Sequence, residues 1–404
     1  MITEFKEYLS PSKVYIPLTD VDYKLANVKV EVDQEVLAGT VLAEKFKGRS
    51  KLPVLSSVSG TVVGFEVLED RYGKKVDHCV IENNKFNNQI ELKSYDNPTS
   101  SQIRKTLHEL GLERISVDGS YTPLKFDQEI KHLVVNAIFV NEPSYSIDYF
   151  YLQDHAEEIA QGIELIGKAA LAENIIVLFD KRMPAEALEQ FGIASVDKNI
   201  KLVSVDPMTI KGQDVKYIRS LVKEDLNPNL LSSGVIYTNV DAAKMVFDAM
   251  NGRVPNSRQV VFSGDGLRSN AIYEVRFGTL LSEIVHDLEG YNDCEEMVLH
   301  VGDFLTGMQV LSDDVAITAT TDAFNFSEYS EIEEDVCTKC GDCNDVCPVG
   351  ILPQNIMDAE LRSVNQRIVD LETNLCTECG LCTYVCPSKI NVLEWVRRAK
   401  RRVG

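Results

Sequence analysis

Hydrophobic positions change their period along this chain, and each change marks a different kind of unit. Near the start, Val28-Lys29-Val30-Glu31-Val32 alternates, Asp33-Gln34-Glu35 turns the chain, and Val36–Ala43 and Leu55–Val63 repeat the style. That pattern predicts short strands broken by turns over residues 1–95. From about Asn97 the spacing becomes helical at Ile103–Leu110, and Leu133–Val140 is a continuous apolar run fit for a buried parallel strand. An amphipathic helix follows over His155–Ala172, with Ile159, Ile163 and Ile166 on one stripe. Ile175–Phe179 reads as a strand, Pro184–Phe191 as a helix and Lys201–Val205 as a strand, so residues 96–256 read as a doubly wound α/β domain. Val235–Asn239 and a helix over Ala242–Met250 close it. Residues 257–326 form a small α+β unit: strands at Gln259–Phe262, Ala271–Val275 and Met297–Val301, and a helix at Leu280–Leu288. An acidic stretch, Ser327–Glu334, leads into a last domain, 327–404.

That last domain carries the chemistry. Cys337-Thr-Lys-Cys340-Gly-Asp-Cys343-Asn-Asp-Val-Cys347-Pro348 is repeated as Cys376-Thr-Glu-Cys379-Gly-Leu-Cys382-Thr-Tyr-Val-Cys386-Pro387. The C-x2-C-x2-C-x3-C-P run is the signature of bacterial two-cluster ferredoxins, in which the fourth cysteine of each run binds the other cluster. Three thiolates two residues apart reach one face of a cubane only where the backbone curls, and Gly341 and Gly380 relieve crowding there. Pro348 and Pro387 turn the chain away. The expected sets are Cys337, Cys340, Cys343 and Cys386 for one [4Fe-4S] cluster, and Cys376, Cys379, Cys382 and Cys347 for the other. Four-thiolate zinc sites more often show paired C-x2-C knuckles. Cys79 and Cys294 lie apart and read as structural.

Charge narrows the partners. The 404 residues carry a formal net charge of -21, with 41 Lys+Arg against 62 Asp+Glu, which disfavours nucleic acid and suits a basic patch on a redox protein. No apolar run reaches the roughly 20 residues that span a bilayer, and the start lacks a secretory pattern. The expected location is the cytoplasm, where clustered cysteines bind metal rather than pair as disulfides.

The order of units resembles a known family. The two-part start resembles a lipoyl-like barrel-sandwich hybrid, although Lys47 and Lys51, in Phe46-Lys47-Gly48-Arg49-Ser50-Lys51, lack the context of a modified carrier lysine. Ser57-Val58-Ser59-Gly60-Thr61-Val62, Asn136, Glu142-Pro143, Gly264-Asp265-Gly266, Phe277-Gly278-Thr279 and Gly302–Gly307, with the cysteine runs, resemble the RnfC family of the Rnf electron-transport complex. The resemblance implies a multidomain α/β and α+β chain: barrel, Rossmann-like domain, SLBB β-grasp unit and dicluster ferredoxin domain. Relatives that oxidise NADH through FMN carry a GxGGAGFPT loop. Here the matching stretch, Glu113–Lys125, keeps only Gly119 and sets Asp118 beside it, which weighs against tight FMN. Asp206–Gly212 keeps little of the family's YPxGxEK segment. Gly119 and Glu142 are the residues the resemblance carries onto a vestigial FMN/NADH site. These departures are similar to soluble relatives that serve proline reductase. The expected function is therefore electron transfer from a ferredoxin, flavoprotein or NADH-linked donor to a partner reductase, and the alternative is an NADH-oxidising, FMN-containing input subunit of an Rnf-type membrane complex.

Overall fold

Alternation at the start of the chain produces two small sheets packed face to face. The computed structural model describes residues 5–115, 121–138, 152, 154–206, 214–224, 226–227, 229–293, 296–302, 307–329 and 333–403. Strand β1 is Phe5–Tyr8, and the next seven are β2 (Lys13–Pro17), β3 (Leu25–Val28), β4 (Glu35–Val36), β5 (Val41–Lys47), β6 (Ser50–Leu55), β7 (Gly60–Glu69) and β8 (Lys75–Asn83). Sheets β2-β8-β7-β4 and β3-β5-β6 enclose a core that includes Val14, Leu42, Val62, Cys79 and Ile81.

Two of the expected strands are shorter than their alternation suggests. β3 ends at Val28, and the chain turns before β4, where Asp33 takes a φ of 69° and its N–H donates to Val62 O at 2.8 Å. Leu55–Val63 is interrupted at Ser56–Ser59, because Ser56 Oγ donates to Val58 O and Ser59 Oγ to Asn84 Oδ1, both at 2.7 Å. Serine hydroxyls close to the backbone compete with ladder pairing in this way.

The central unit follows its predicted rhythm: α1 (Ser100–Glu109), β9 (His132–Ala137), α2 (Ala156–Ala170), β10 (Asn174–Asp180), α3 (Ala185–Ser195), β11 (Ile200–Val205), α4 (Asp214–Val222), β12 (Val235–Asn239) and α5 (Val240–Met250). The strands pair in parallel in the order β11-β10-β9-β12. Successive residues of β9 point to opposite faces, which is why its run is apolar throughout. Leu133 and Val135 join the core under α1, α2, α3 and α5, while Val134 joins Val215 and Ile218 of α4 on the other face.

The next sheet contains β13 (Ser257–Ser263), β14 (Ala271–Arg276), β15 (Met297–Val301), β16 (Met308–Val310) and β17 (Ala323–Glu328), with α6 (Leu281–Asp287) packed on it. Its order is β1-β14-β13-β17-β15-β16. β1, from the opposite end of the chain, runs parallel to β14 at its edge, with Phe5 opposite Ile272. The last part holds five helices: α7 (Asp342–Asp345), α8 (Pro353–Leu361), α9 (Asn365–Asp370), α10 (Leu381–Tyr384) and α11 (Val392–Val403). Among the described residues no helix is long and apolar enough to cross a membrane.

Candidate iron–sulfur site

The two cysteine runs fold as copies of one loop. Lys339 and Glu378 both take a φ of 58°, Gly341 and Gly380 take 92° and 77°, and Gly350 and Lys389 take 74° and 55°. The left-handed residue between the first two cysteines curls the chain, and the glycine before the short helix lets it enter at a φ that a side chain would resist. Cys343 and Cys382 then occupy matching places on α7 and α10, both buried.

The crossing expected from the sequence brings distant cysteines together. Cys337, Cys340, Cys343 and Cys386 line one small cavity, closed on its apolar side by Met357 and Ile390. On the other side of the pseudo-repeat, burial first and the nearby Cys347 further raise the Cys379 thiol. Burial pushes Cys376 up to about 11 and Cys382 up to about 12, each also acted on by Cys379. Without iron these groups would be neutral thiols, and coordination has to draw off their protons. Among the described residues no three His, Cys, Asp or Glu side chains converge on a single-ion site. Thiolates spread around a four-iron cubane stand farther apart than the tetrahedral ligands of one zinc.

The environment of Cys376 includes groups that motif reading missed. The Glu378 N–H donates to Cys376 Sγ at 3.4 Å, and Lys400 Nζ donates to Cys376 O at 2.9 Å. Lys400 and Arg397, from α11, also hold the Glu378 carboxylate at 3.0 and 2.9 Å. Burial alone would raise Glu378, but these two cations hold it below the ordinary range. The available sequence signal was the i, i+3 spacing of Arg397 and Lys400 in a basic amphipathic helix.

The remaining expectations fall elsewhere. Cys79 is buried on β8, its thiol pushed up to about 11 by desolvation. Lys47 pairs with Asp22 and Lys51 with Glu44. Cys294, Gly119, Glu142 and Pro207–Gly212 lie outside the described residues. At the point where the order of the parallel sheet reverses, between β9 and β12, the described side chains bond to one another. Asn136 Nδ2 donates to Tyr121 Oη at 2.6 Å and to Ile138 O at 3.0 Å, and the Tyr121 ring lies 4.8 Å from that of Tyr237. This is where ligands of open parallel sheets bind. The described residues there offer aromatic surface for a flavin ring but no glycine cradle for its phosphate.

Paired cysteine loops of this geometry define an iron–sulfur electron-transfer protein, and residues 336–390 match the family described as 4Fe-4S dicluster domain. Residues 3–86 match the family described as RnfC Barrel sandwich hybrid domain. The chain belongs to the RnfC family. It is similar to RnfC-type proteins of ion-translocating oxidoreductase complexes from several organisms. That of Haemophilus influenzae (strain PittEE) is 24% identical over 358 residues, covering 85% of this chain and 54% of that protein. That of Methanosarcina acetivorans is 24% identical, covering 86% and 82%, and that of Rhodobacter capsulatus 25% identical, covering 85% and 69%. The chain thus spans about half the length of the Haemophilus relative. Among solved structures, it is similar to a chain of an NAD+-reducing [NiFe]-hydrogenase in the H2-reduced state, with a TM-score of 0.47 at 12% identity, over 76% of this chain and 61% of that one.

Proposed function

We propose that this chain is the electron-input subunit of an Rnf-type ion-translocating complex, passing electrons singly through two [4Fe-4S] clusters to partner subunits at a membrane. The observation that carries the reading is the pairing, on one chain, of an RnfC-type barrel with a dicluster domain. The parallel sheet serves as a Rossmann-like donor domain, and the sheet from β13 to β17 as an SLBB-like β-grasp unit. In the first cluster Cys337, Cys340, Cys343 and Cys386 hold the iron, and in the second Cys376, Cys379, Cys382 and Cys347. A cluster bound in this way exchanges one electron at a time and accepts no hydride, so a two-electron donor needs a flavin between. When bound, FMN supplies that conversion. This chain's own residues position the acceptors: the barrel and sheets fix the dicluster domain, and burial of Cys343 and Cys382 limits water around the sulfurs.

Anaerobically purified protein is expected to contain about eight iron atoms and eight acid-labile sulfides per chain, the content of two [4Fe-4S] clusters. Zinc without sulfide would refute the cluster reading.

A second reading is favoured by the Glu113–Lys125 loop, which keeps only Gly119, and by the mutual bonding of Tyr121 and Asn136. On it the chain is a soluble carrier between a ferredoxin or flavoprotein and a reductase such as proline reductase. The readings part when NADH is added to cluster-loaded protein with and without FMN. Input through NADH predicts bleaching of the cluster absorbance only when FMN is supplied in excess, because a one-glycine loop holds the flavin weakly. Bleaching by reduced ferredoxin alone would select the carrier.

A further inference from the structure

The two cysteine loops share a backbone but not their electrostatic surroundings. At the place where the first run has the exposed Lys339, the second has Glu378, clamped by Lys400 and Arg397. We propose that Lys400 sets the reduction potential of the cluster held by the second run, making that cluster easier to reduce. The proposal rests on the ligand sets given above. Adding an electron increases the negative charge at the cysteine sulfurs, so a fixed cation nearby stabilises the reduced form, most where water screens it least.

Three contacts fix the geometry. Lys400 Nζ donates to the carbonyl of Cys376 itself at 2.9 Å, so its charge is anchored to a ligand residue. It is also 3.0 Å from Glu378 Oε1, and Arg397 Nε lies 2.9 Å from Glu378 Oε2. One carboxylate and two cations leave the network with a net positive charge. The same clamp holds Glu378, whose N–H points at Cys376 Sγ. A hydrogen bond to a ligand sulfur acts in the same direction as the charge. Arg397 is largely buried at 12% side-chain exposure, and Lys400 is partly covered at 32%. Asp214 of α4 also acts on Cys379, with the opposite sign, and stays in place in every variant below. Lys400 is a positioning and charge-setting residue and is not a ligand.

The test is a potentiometric titration of the full-length, cluster-loaded protein followed by EPR, after iron and sulfide have been counted. A low count would refute the cluster reading itself, independently of Lys400. In Lys400→Gln, the reduced-to-oxidised ratio of one cluster at fixed potential is expected to fall about tenfold, which is 59 mV for a one-electron couple. The other cluster should keep its midpoint, and Lys400→Arg should restore the first. Arg397→Gln, which removes one charge of the same network, should shift the same midpoint in the same direction. Unchanged midpoints, or equal shifts in both clusters, overturn the proposal. So does loss of iron from both charge-removing variants but not from Lys400→Arg, which would assign the clamp a purely structural role.

Discussion

Replacing Cys347 with Ser is expected to abolish the same cluster that Cys376→Ser abolishes, although Cys347 lies in the other run. Cys386→Ser is expected to behave like Cys337→Ser. The four variants should fall into two spectroscopic classes, each having lost one reduced-state EPR signal and about half of its iron. The reason is spatial. Cys386 lines the cavity of Cys337, Cys340 and Cys343, while Cys347 lies near enough to Cys379 to act on its charge. Grouping by run would overturn the assignment, with Cys347→Ser behaving like Cys337→Ser. Crossed ligation also ties the runs into one folding unit, so the remaining cluster should be more readily lost to chelators in all four variants.

Gly264→Ala is expected to cost at least about 3 kcal/mol, the upper range for a single substitution. Gly264 ends β13 with a φ of 124°, and a Cβ built there would stand 1.8 Å from Phe326 O. The obstruction is the backbone of a central strand, itself engaged by the Gly266 N–H at 3.0 Å, so no side chain can swing aside. Gly290→Ala separates conformational strain from the clash. Gly290 has a φ of 89° with nothing within 4 Å of its virtual Cβ, and its substitution should cost about 1–2 kcal/mol. Urea unfolding followed by circular dichroism checks both. Equal costs at the two sites would mean that the close approach to Phe326 contributes nothing.

The parts of this molecule that could be read from sequence are those whose signal is local. Cysteine spacing is set by bond lengths within a loop of eleven residues, so the dicluster domain is legible almost in full. The helix at Ala156–Ala170 shows because Ile159, Ile163 and Ile166 must face one core, and β10 shows because both its faces are covered. In the barrel, Ser56 and Ser59 look like ordinary polar positions in an alternating strand. Their hydroxyl bonds to Val58 O and Asn84 are what break it. The contact of Lys400 with Cys376 was hidden because it joins a helix to a loop 24 residues earlier, and a basic amphipathic helix reads first as a solvated face. Flavin chemistry was read from missing glycines in a loop whose Gly119 lies outside the described residues, as Glu142 does.

The pairing of β1 with β14 bears on how the chain is made. Phe5 leaves the ribosome among the first residues, and its partner Ile272 follows 267 positions later. At 5–20 residues per second, β1 waits on the order of tens of seconds for the edge it completes. During that time the barrel behind it can already close, since its strands pair among residues 13–83. The first strand is therefore a seam, held afterwards by Tyr8 donating to Glu283 at 3.2 Å and Arg276 to Leu9 O at 3.1 Å. A nascent chain arrested before residue 271 presents β1 as an unpaired strand, open to other edges in the crowded surroundings of translation.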